Sequence, residues 1–228
     1  MNAPLALLLA YAIGCLSFAT LVARARGVNI REHGSGNPGA TNVGRVLGKG
    51  WGSLVLLLDI AKGLLPALLM RAPAAGLGLD GLPHEVVDTD GRTLIMAAAV
   101  LGHIAPVTQG FRGGKGVATL IGGAFGLNPL LGLIGVAAHL IVKKALGYVS
   151  VASVVLAWSV AIGRWAQDLM AETPAGGSLV LALLATLITL RHRSNFARIR
   201  AGTEDRYDDP DDVALRHSPE DGNPGKAG

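Results

Sequence analysis

The stretch APLALLLAYAIGCLSFATLVA, residues 3–23, contains no charged side chain over 21 positions. A helix of this length rises about 30 Å, which matches the hydrocarbon thickness of a bilayer. A cleaved signal peptide is the alternative, because Ala23 and Ala25 form a small-residue pair. No basic residue precedes the run, however, and the run is too long for the apolar core of a signal peptide. The stretch therefore predicts a retained first transmembrane helix.

The composition of the whole chain supports the same class. Half of the 228 residues are hydrophobic, 16% are charged and the mean hydropathy is +0.46, which is typical of an integral membrane protein of one domain. Cys15 is the single cysteine, which excludes an internal disulfide and a multi-cysteine metal site. Further apolar runs follow at 53–70, 93–110, 117–127, 129–142, 148–166 and 178–191.

The boundary between the two shortest runs, at Asn128 and Pro129, decides how many helices the chain forms. Proline at the first helical position after an asparagine is a helix-start signal. It predicts two separate helices, and the first of them, at 117–127, is only about 17 Å long. The alternative is one kinked helix of 26 residues over 117–142.

The distribution of basic residues orients the chain. Seven spans with the N-terminus outside place nine basic residues in the inner loops 24–52, 111–116 and 143–147, and three in the outer loops 71–92 and 164–177. The arginine cluster after the last span then also falls inside. The positive-inside rule therefore predicts an all-α integral membrane protein with seven transmembrane helices, two of them short, a periplasmic N-terminus and a cytoplasmic C-terminus.

The C-terminal segment differs from the rest of the chain. Residues 203–228 contain eight acidic and three basic residues, so their formal charge is −5. They lack aliphatic periodicity and contain proline and glycine, which is typical of disorder. The sequence predicts a membrane-embedded domain at 1–206 and an acidic, disordered tail at 207–228.

Three stretches rich in glycine and basic residues fall on the predicted inner side: GSGNPGATNVGR (34–45), FRGGKGVAT (111–119) and RHRSNFAR (191–198). Glycine backbone lets N–H groups converge on an anion, and arginine and lysine bind phosphate. Together they predict a pocket for a phosphorylated ligand, and the first stretch is expected to hold no stable helix. The alternatives are a flexible loop, snorkelling cations and a basic stop after the last span.

Several chemistries are excluded by the pattern of residues. Gly116 follows Lys115 where a P-loop requires serine or threonine. The sequence has no G-x-S-x-G elbow, no H-E-x-x-H pair and no H-x-x-x-x-D pattern, because acids follow His84 only at other spacings. We therefore expect no metal and no cofactor, with acid–base chemistry left to His192 or to the substrate itself.

Ionisable residues also occur inside the predicted spans. Asp59 and Lys62 are spaced as neighbours on one helix face, and an intramembrane charge pair is either functional or a structural ion pair. His103 and His139 lie in apolar runs, where a histidine is more often structural than catalytic.

Taken together and in order, the segments GSGNPGATNVGRVLGKGWG, GHIAPVTQGFRGGKGVAT and HRSNFARIRAGTEDR resemble the bacterial acyl-phosphate:glycerol-3-phosphate acyltransferase (PlsY) family. The resemblance covers about residues 3–206. It implies a seven-helix inner-membrane enzyme whose active site faces the cytoplasm. Such an enzyme transfers a fatty acyl group from acyl phosphate to the 1-hydroxyl of glycerol 3-phosphate. The products are lysophosphatidic acid and phosphate, in the first acylation step of phospholipid synthesis.

The resemblance also implies the residues of the site. The expected catalytic residues are Ser35, Arg45, Lys115, His192 and Asn195. The expected substrate-binding residues are Gly36, Asn37, Thr41, Asn42, Gly113, Gly114, Gly116, Ser150 and Glu204. The sequence leaves open whether His192 is a base or only a hydrogen-bond donor.

The implied partners are acyl phosphate, glycerol 3-phosphate and the lipid bilayer, with no nucleic acid and no obligate protein partner. A small membrane transporter of a phosphorylated solute is the alternative function. The predicted anion-binding stretches cluster at one interface, however, and no inverted repeat is detectable, whereas transporter sites lie near the midplane.

Overall fold

The computed structural model describes residues 3–71, 91–172 and 176–206. In these ranges the regular secondary structure is entirely helical, with a short 3-10 turn at Val107–Gln109. The predicted tail at 207–228 and most of the predicted outer loop 71–92 lie outside the described residues. The helices are α1 Ala3–Gly14, α2 Phe18–Ala25, α3 Ala40–Leu47, α4 Lys49–Arg71, α5 Gly91–Ile104, α6 Val117–Leu127, α7 Pro129–Leu146, α8 Val149–Met170, α9 Gly176–Arg191 and α10 Arg193–Arg200.

Five segments have the length and apolarity of a full membrane span: Pro4–Ala25, Lys49–Leu69, Gly91–Gln109, Pro129–Leu146 and Val149–Met170. Two further apolar helices, α6 and α9, are shorter. Each predicted apolar run thus corresponds to a helical segment. The all-helical, multi-pass membrane class agrees with the prediction.

The sequence predicted one continuous helix for the first span. In the structure this span is interrupted between Gly14 and Phe18. The interruption frees backbone carbonyls, and inside a membrane each of these must find a partner within the protein. The carbonyl of Leu16 accepts a hydrogen bond from Lys62 Nζ at 2.9 Å, and that of Cys15 accepts one from Thr108 Oγ1 at 3.4 Å. Apolar composition carries no information about such distant partners, so the break was not predictable from the run itself.

The glycine-rich stretch 34–45 does contain helix, contrary to the expectation from its composition. Its second half forms the start of α3, while the residues before Gly39 remain a loop. Tertiary packing explains the difference, because Val43 is fully buried and Gly44 lies against Gly52 of α4. A Cβ atom at Gly52 would overlap the backbone of Gly44, so the two helices approach this closely because residue 52 is glycine.

The helix-start signal at Asn128 and Pro129 is confirmed. Asn128 is the N-cap of α7, and its Oδ1 atom accepts a hydrogen bond from the N–H of Leu130 at 2.9 Å. The alternative of one kinked helix over 117–142 is therefore wrong.

The centre of the bundle is built on close contact between α4 and α6. A Cβ atom on Gly63 would overlap the carbonyl of Thr119, and one on Gly122 would overlap the carbonyl of Ile60. Small residues of this kind let the backbones of membrane helices approach closely, so that van der Waals contacts stabilise the pair where the hydrophobic effect does not. This contact brings the loop before α6 close to α3 and α4, where the polar segments gather.

We expect Gly122→Ala to lower the melting temperature in detergent, because the added methyl group must displace the backbone of α4. Overpacking costs about 1–3 kcal/mol, which corresponds to roughly 3–10 °C for a domain of this size. Gly50→Ala is the matched control, since Gly50 is a helical glycine of α4 and nothing lies within 4 Å of its Cβ position. An equal melting temperature for Gly122→Ala and the unchanged protein would contradict the close-packing argument.

Candidate active site

The three predicted anion-binding stretches meet at one cavity of about 120 Å³. The loop before α3, the loop before α6 and the C-terminal residues 192–204 each contribute to its wall. Eleven of the predicted site residues line it: Ser35, Asn37, Thr41, Asn42, Arg45, Lys115, Gly116, Ser150, His192, Asn195 and Glu204.

A second cavity of about 500 Å³ adjoins the first and shares four residues with it. The shared residues are Ser35, Asn37, Lys115 and Asn195. Gly36 and Gly113 line this second cavity, whereas Gly114 lines neither of the two. Its wall combines apolar side chains with the basic residues Arg31, Arg112, Lys115, Arg191, Arg193 and Arg198.

Lys115 is held by a chain of hydrogen bonds that ends on α10. Its Nζ atom donates to Oδ1 of Asn195 at 2.7 Å, and Nδ2 of Asn195 donates to Oε1 of Glu204 at 2.6 Å. The second carboxylate oxygen of Glu204 accepts a bond from Nε of Arg198 at 2.8 Å. Glu204 therefore fixes the amide so that its oxygen faces the ammonium.

The surroundings of Lys115 weaken its hold on a proton. Burial lowers its pKa to about 8, and Glu204 only partly opposes this effect. The value of about 8 also includes the positive charges of Arg198, Arg45 and Arg191, which act in the same direction as burial. The ammonium is thus a poorly solvated cation among other cations, which is an environment that an incoming anion stabilises.

His192 is buried at the end of α9 and is neutral at pH 7. Its Nδ1 atom lies 2.8 Å from the carbonyl oxygen of Ile188, which can only accept, so Nδ1 carries the proton. Burial lowers its pKa to about 4, and the charge of Lys115 adds to this shift. Nε2 of the neutral ring is left as a hydrogen-bond acceptor.

Burial also acts on Glu204, but in its case other groups outweigh it. Burial raises the pKa of this carboxyl group, whereas the hydrogen bonds from Asn195 and Arg198 lower it, and the net shift is downward. Glu204 is therefore a carboxylate at neutral pH and supports the Asn195 amide in a fixed orientation.

Asn42 clamps the glycine-rich loop. Its Oδ1 atom accepts a bond from the N–H of Ser35 at 2.9 Å, and Nδ2 donates to the carbonyls of Ile30 at 3.2 Å and His33 at 3.0 Å. A Cβ atom at Gly34 would overlap this amide. Asn42 lines the cavity, but its polar atoms are occupied in placing Ser35.

The glycines before Lys115 fasten their loop to the end of α5. The N–H groups of Gly113 and Gly114 donate to the carbonyls of Ile104 and His103, both at 3.0 Å. Neither glycine has room for a Cβ atom. These two N–H groups thus satisfy the last turn of a helix, and Gly116, with φ at +88°, redirects the chain into α6.

Arg45, on α3, makes an ion pair with the segment after α10. Its Nη1 atom lies 2.7 Å from Oδ2 of Asp205, and 45% of the Asp205 side chain is exposed. Thr41 lies at an exposed position on the same helix, and Ser150 is buried in the first turn of α8. The remaining predicted residues are therefore brought to the same region of the bundle.

Asp59 and His103 also line the smaller cavity, whereas the sequence had placed them only in apolar runs and had not assigned them to the site. Their spacing within apolar runs gave no signal that they face the same space as Lys115. Among the residues that the structure describes, no group of three or more His, Cys, Asp or Glu side chains is arranged to hold a metal ion.

The chain is similar to known proteins over most of its length. Residues 4–202 match the model of the glycerol-3-phosphate acyltransferase family. The glycerol-3-phosphate acyltransferase of Aquifex aeolicus is 36% identical over 207 residues, which cover 91% of this chain and 100% of the relative. That of Acholeplasma laidlawii is 36% identical over 217 residues, 89% of this chain and 91% of the relative.

Two solved structures of PlsY, an integral membrane glycerol 3-phosphate acyltransferase, have similar folds. The glycerol 3-phosphate form aligns with a TM-score of 0.77 at 35% identity, over 95% of this chain and 99% of that one. The lysophosphatidic acid form aligns with a TM-score of 0.73 at 36% identity, over 90% and 94% of the two chains. The chain described here therefore belongs to the glycerol-3-phosphate acyltransferase family and is a multi-pass membrane enzyme that acylates glycerol 3-phosphate.

Proposed function

We propose that the acyl donor is acyl phosphate and that the acceptor is the 1-hydroxyl of glycerol 3-phosphate. The observation that carries this proposal is the pair of adjoining cavities that share Lys115. Donor and acceptor each bear a phosphate group, so two cation-lined spaces that meet at one ammonium suit them both. The larger cavity also carries Phe111, Leu187 and Leu190, which suit the first part of an acyl chain.

The proposed reaction needs no covalent acyl-enzyme, because acyl phosphate is already an activated mixed anhydride. The hydroxyl oxygen of glycerol 3-phosphate attacks the acyl carbonyl carbon, and the bond from that carbon to the phosphate oxygen breaks. Lysophosphatidic acid and phosphate are formed. Lys115 and Arg45 stabilise the charge that develops on the leaving phosphate.

The proton of the attacking hydroxyl requires an acceptor. A pKa of about 4 makes His192 a weak base, whereas a phosphate monoanion becomes a dianion with a pKa of about 6. We propose that a phosphate oxygen of the substrate takes the proton. His192 and Ser35 would then hold the hydroxyl and the donor in line, with Asn195 placing Lys115.

Purified protein with glycerol 3-phosphate and palmitoyl phosphate should release inorganic phosphate and form lysophosphatidic acid in equal amounts. Palmitoyl-CoA in place of palmitoyl phosphate should give no product. Transfer from palmitoyl-CoA alone would contradict the proposed donor while leaving the acyltransferase family assignment intact.

The site is proposed to face the cytoplasm of a bacterial inner membrane, with seven spans, a periplasmic N-terminus and a cytoplasmic C-terminus. Alkaline phosphatase is active only in the periplasm, so its fusion after Arg206 should be inactive. The same fusion after Glu172, in the predicted outer loop, should be active. The reverse pattern would contradict the proposed orientation, which rests on the distribution of basic residues.

We expect Lys115→Ala to reduce acyl transfer by roughly 10²-fold or more, the scale seen when one preorganised charge is removed from a developing anion. Lys115→Arg should also be poor, because a planar guanidinium does not replace a compact ammonium. Initial rates and melting temperatures are measured in the same detergent. Near-normal rates for Lys115→Ala would assign Lys115 a purely structural role at the membrane edge.

The lowered pKa of Lys115 predicts a pH dependence. The ammonium is present below its pKa and is lost as the pH rises through about 8, so kcat/KM for glycerol 3-phosphate should fall on the alkaline side. Lys115→Arg keeps its charge at every pH tested and should show no such fall between about pH 7 and 9. An alkaline fall of the same size in both proteins would place the titrating group elsewhere.

A further inference from the structure

Three ionisable side chains are enclosed together in the membrane-spanning body. Asp59 and Lys62 on α4 and His103 on α5 are all buried, with 8% exposure at most. Oδ1 of Asp59 lies 2.9 Å from Nζ of Lys62 and 3.6 Å from Nδ1 of His103. Charges inside a membrane protein are costly and usually mark a functional element, yet the proposed reaction assigns no role to these three.

The contacts of Lys62 with the first span account for the presence of Lys62 and of Asp59, its carboxylate partner. Lys62 donates to the carbonyl of Leu16 at the break in the first span, and its Nζ atom lies 5.8 Å from the centre of the Phe18 ring. The ammonium thus satisfies a freed backbone group, and Asp59 balances its charge. These contacts do not require a histidine on α5.

The His103 end of the trio reaches the loop of Lys115. The His103 ring lies against the backbone of Gly114, where a Cβ atom would overlap Nε2. The N–H of Gly114 donates to the carbonyl of the same histidine at 3.0 Å, and Lys115 follows immediately in the chain. Asp59, His103 and Lys115 also line the same cavity of about 120 Å³.

We infer that Asp59 and His103 are positioning residues for Lys115. Asp59 faces Nδ1 of His103 and sets the orientation of its ring. The ring packs against the backbone of Gly114 and so holds the Lys115 ammonium where the two cavities meet. This inference rests on the proposed function, because it assigns the pair an effect on acyl transfer that passes through Lys115.

A role through Lys115 is distinguished from a purely structural role by a double-mutant cycle. The proteins compared are the unchanged enzyme, His103→Gln, Lys115→Ala and the variant with both substitutions, in the palmitoyl phosphate assay. His139→Gln is the matched control, since His139 is a partly buried histidine on α7 that lines neither cavity. Melting temperatures are measured for every protein.

We expect His103→Gln to lower kcat/KM for glycerol 3-phosphate by about tenfold, and by less than about twofold when Lys115 is already alanine, as residues that share a cavity are coupled on this scale. Asp59→Asn should give the same coupling to Lys115. His139→Gln should leave kcat/KM unchanged in both backgrounds.

An equal loss from His103→Gln with and without Lys115 would overturn the inference, because the ring would then act independently of the ammonium. Loss of folding in both His103→Gln and Asp59→Asn would also overturn it, since the trio would then serve only to hold the bundle together. If the unchanged enzyme shows no transfer from palmitoyl phosphate, the proposed donor fails. If the unchanged enzyme is active and the effects of His103→Gln and Lys115→Ala are additive, the positioning role is wrong but the proposed donor stands.

Discussion

The hydrogen bond between Lys115 and Asn195 joins the loop before α6 to α10, and the rest of the site depends on it. A lysine enclosed by a helical bundle must find an acceptor, because an isolated buried ammonium is costly. Lys115 finds a neutral amide oxygen at 2.7 Å. A neutral acceptor satisfies one of its three N–H donors and leaves its charge available, whereas a carboxylate in direct contact would have neutralised it.

The same constraint explains how irregular backbone is tolerated beside the membrane. In three non-helical segments, backbone polar groups are met by a nearby side chain or by the open end of a helix. Asn42 closes the loop before α3, the glycine N–H groups at 113 and 114 cover the last carbonyls of α5, and Lys62 bonds the break in the first span. The loops are therefore fixed by satisfied hydrogen bonds, which is the rigidity that a preorganised site requires.

The sequence predicted the features whose signals are local. The apolar runs corresponded to helices, the Asn128 cap separated α6 from α7, and the three basic stretches met at one cavity. It did not predict features that depend on distant partners. The break after Gly14 requires Lys62, the helix in the glycine-rich stretch requires the contact between Gly44 and Gly52, and Asp59 joins the cavity only because α4 packs against α5 and α6.

Two carboxylates follow α10, Glu204 and Asp205, and they bind the cations of the site with different strength. Glu204 is buried and binds both Asn195 and Arg198, so it belongs to the fixed frame around Lys115. Asp205 pairs with Arg45 at 2.7 Å but is 45% exposed, and partly exposed ion pairs are worth only about 0–1 kcal/mol. Phosphate can replace such a carboxylate on Arg45 at little cost, whereas displacement of Glu204 would leave the buried amide of Asn195 without its acceptor. The frame around Lys115 therefore stays rigid, while the guanidinium group of Arg45 can exchange Asp205 for a phosphate.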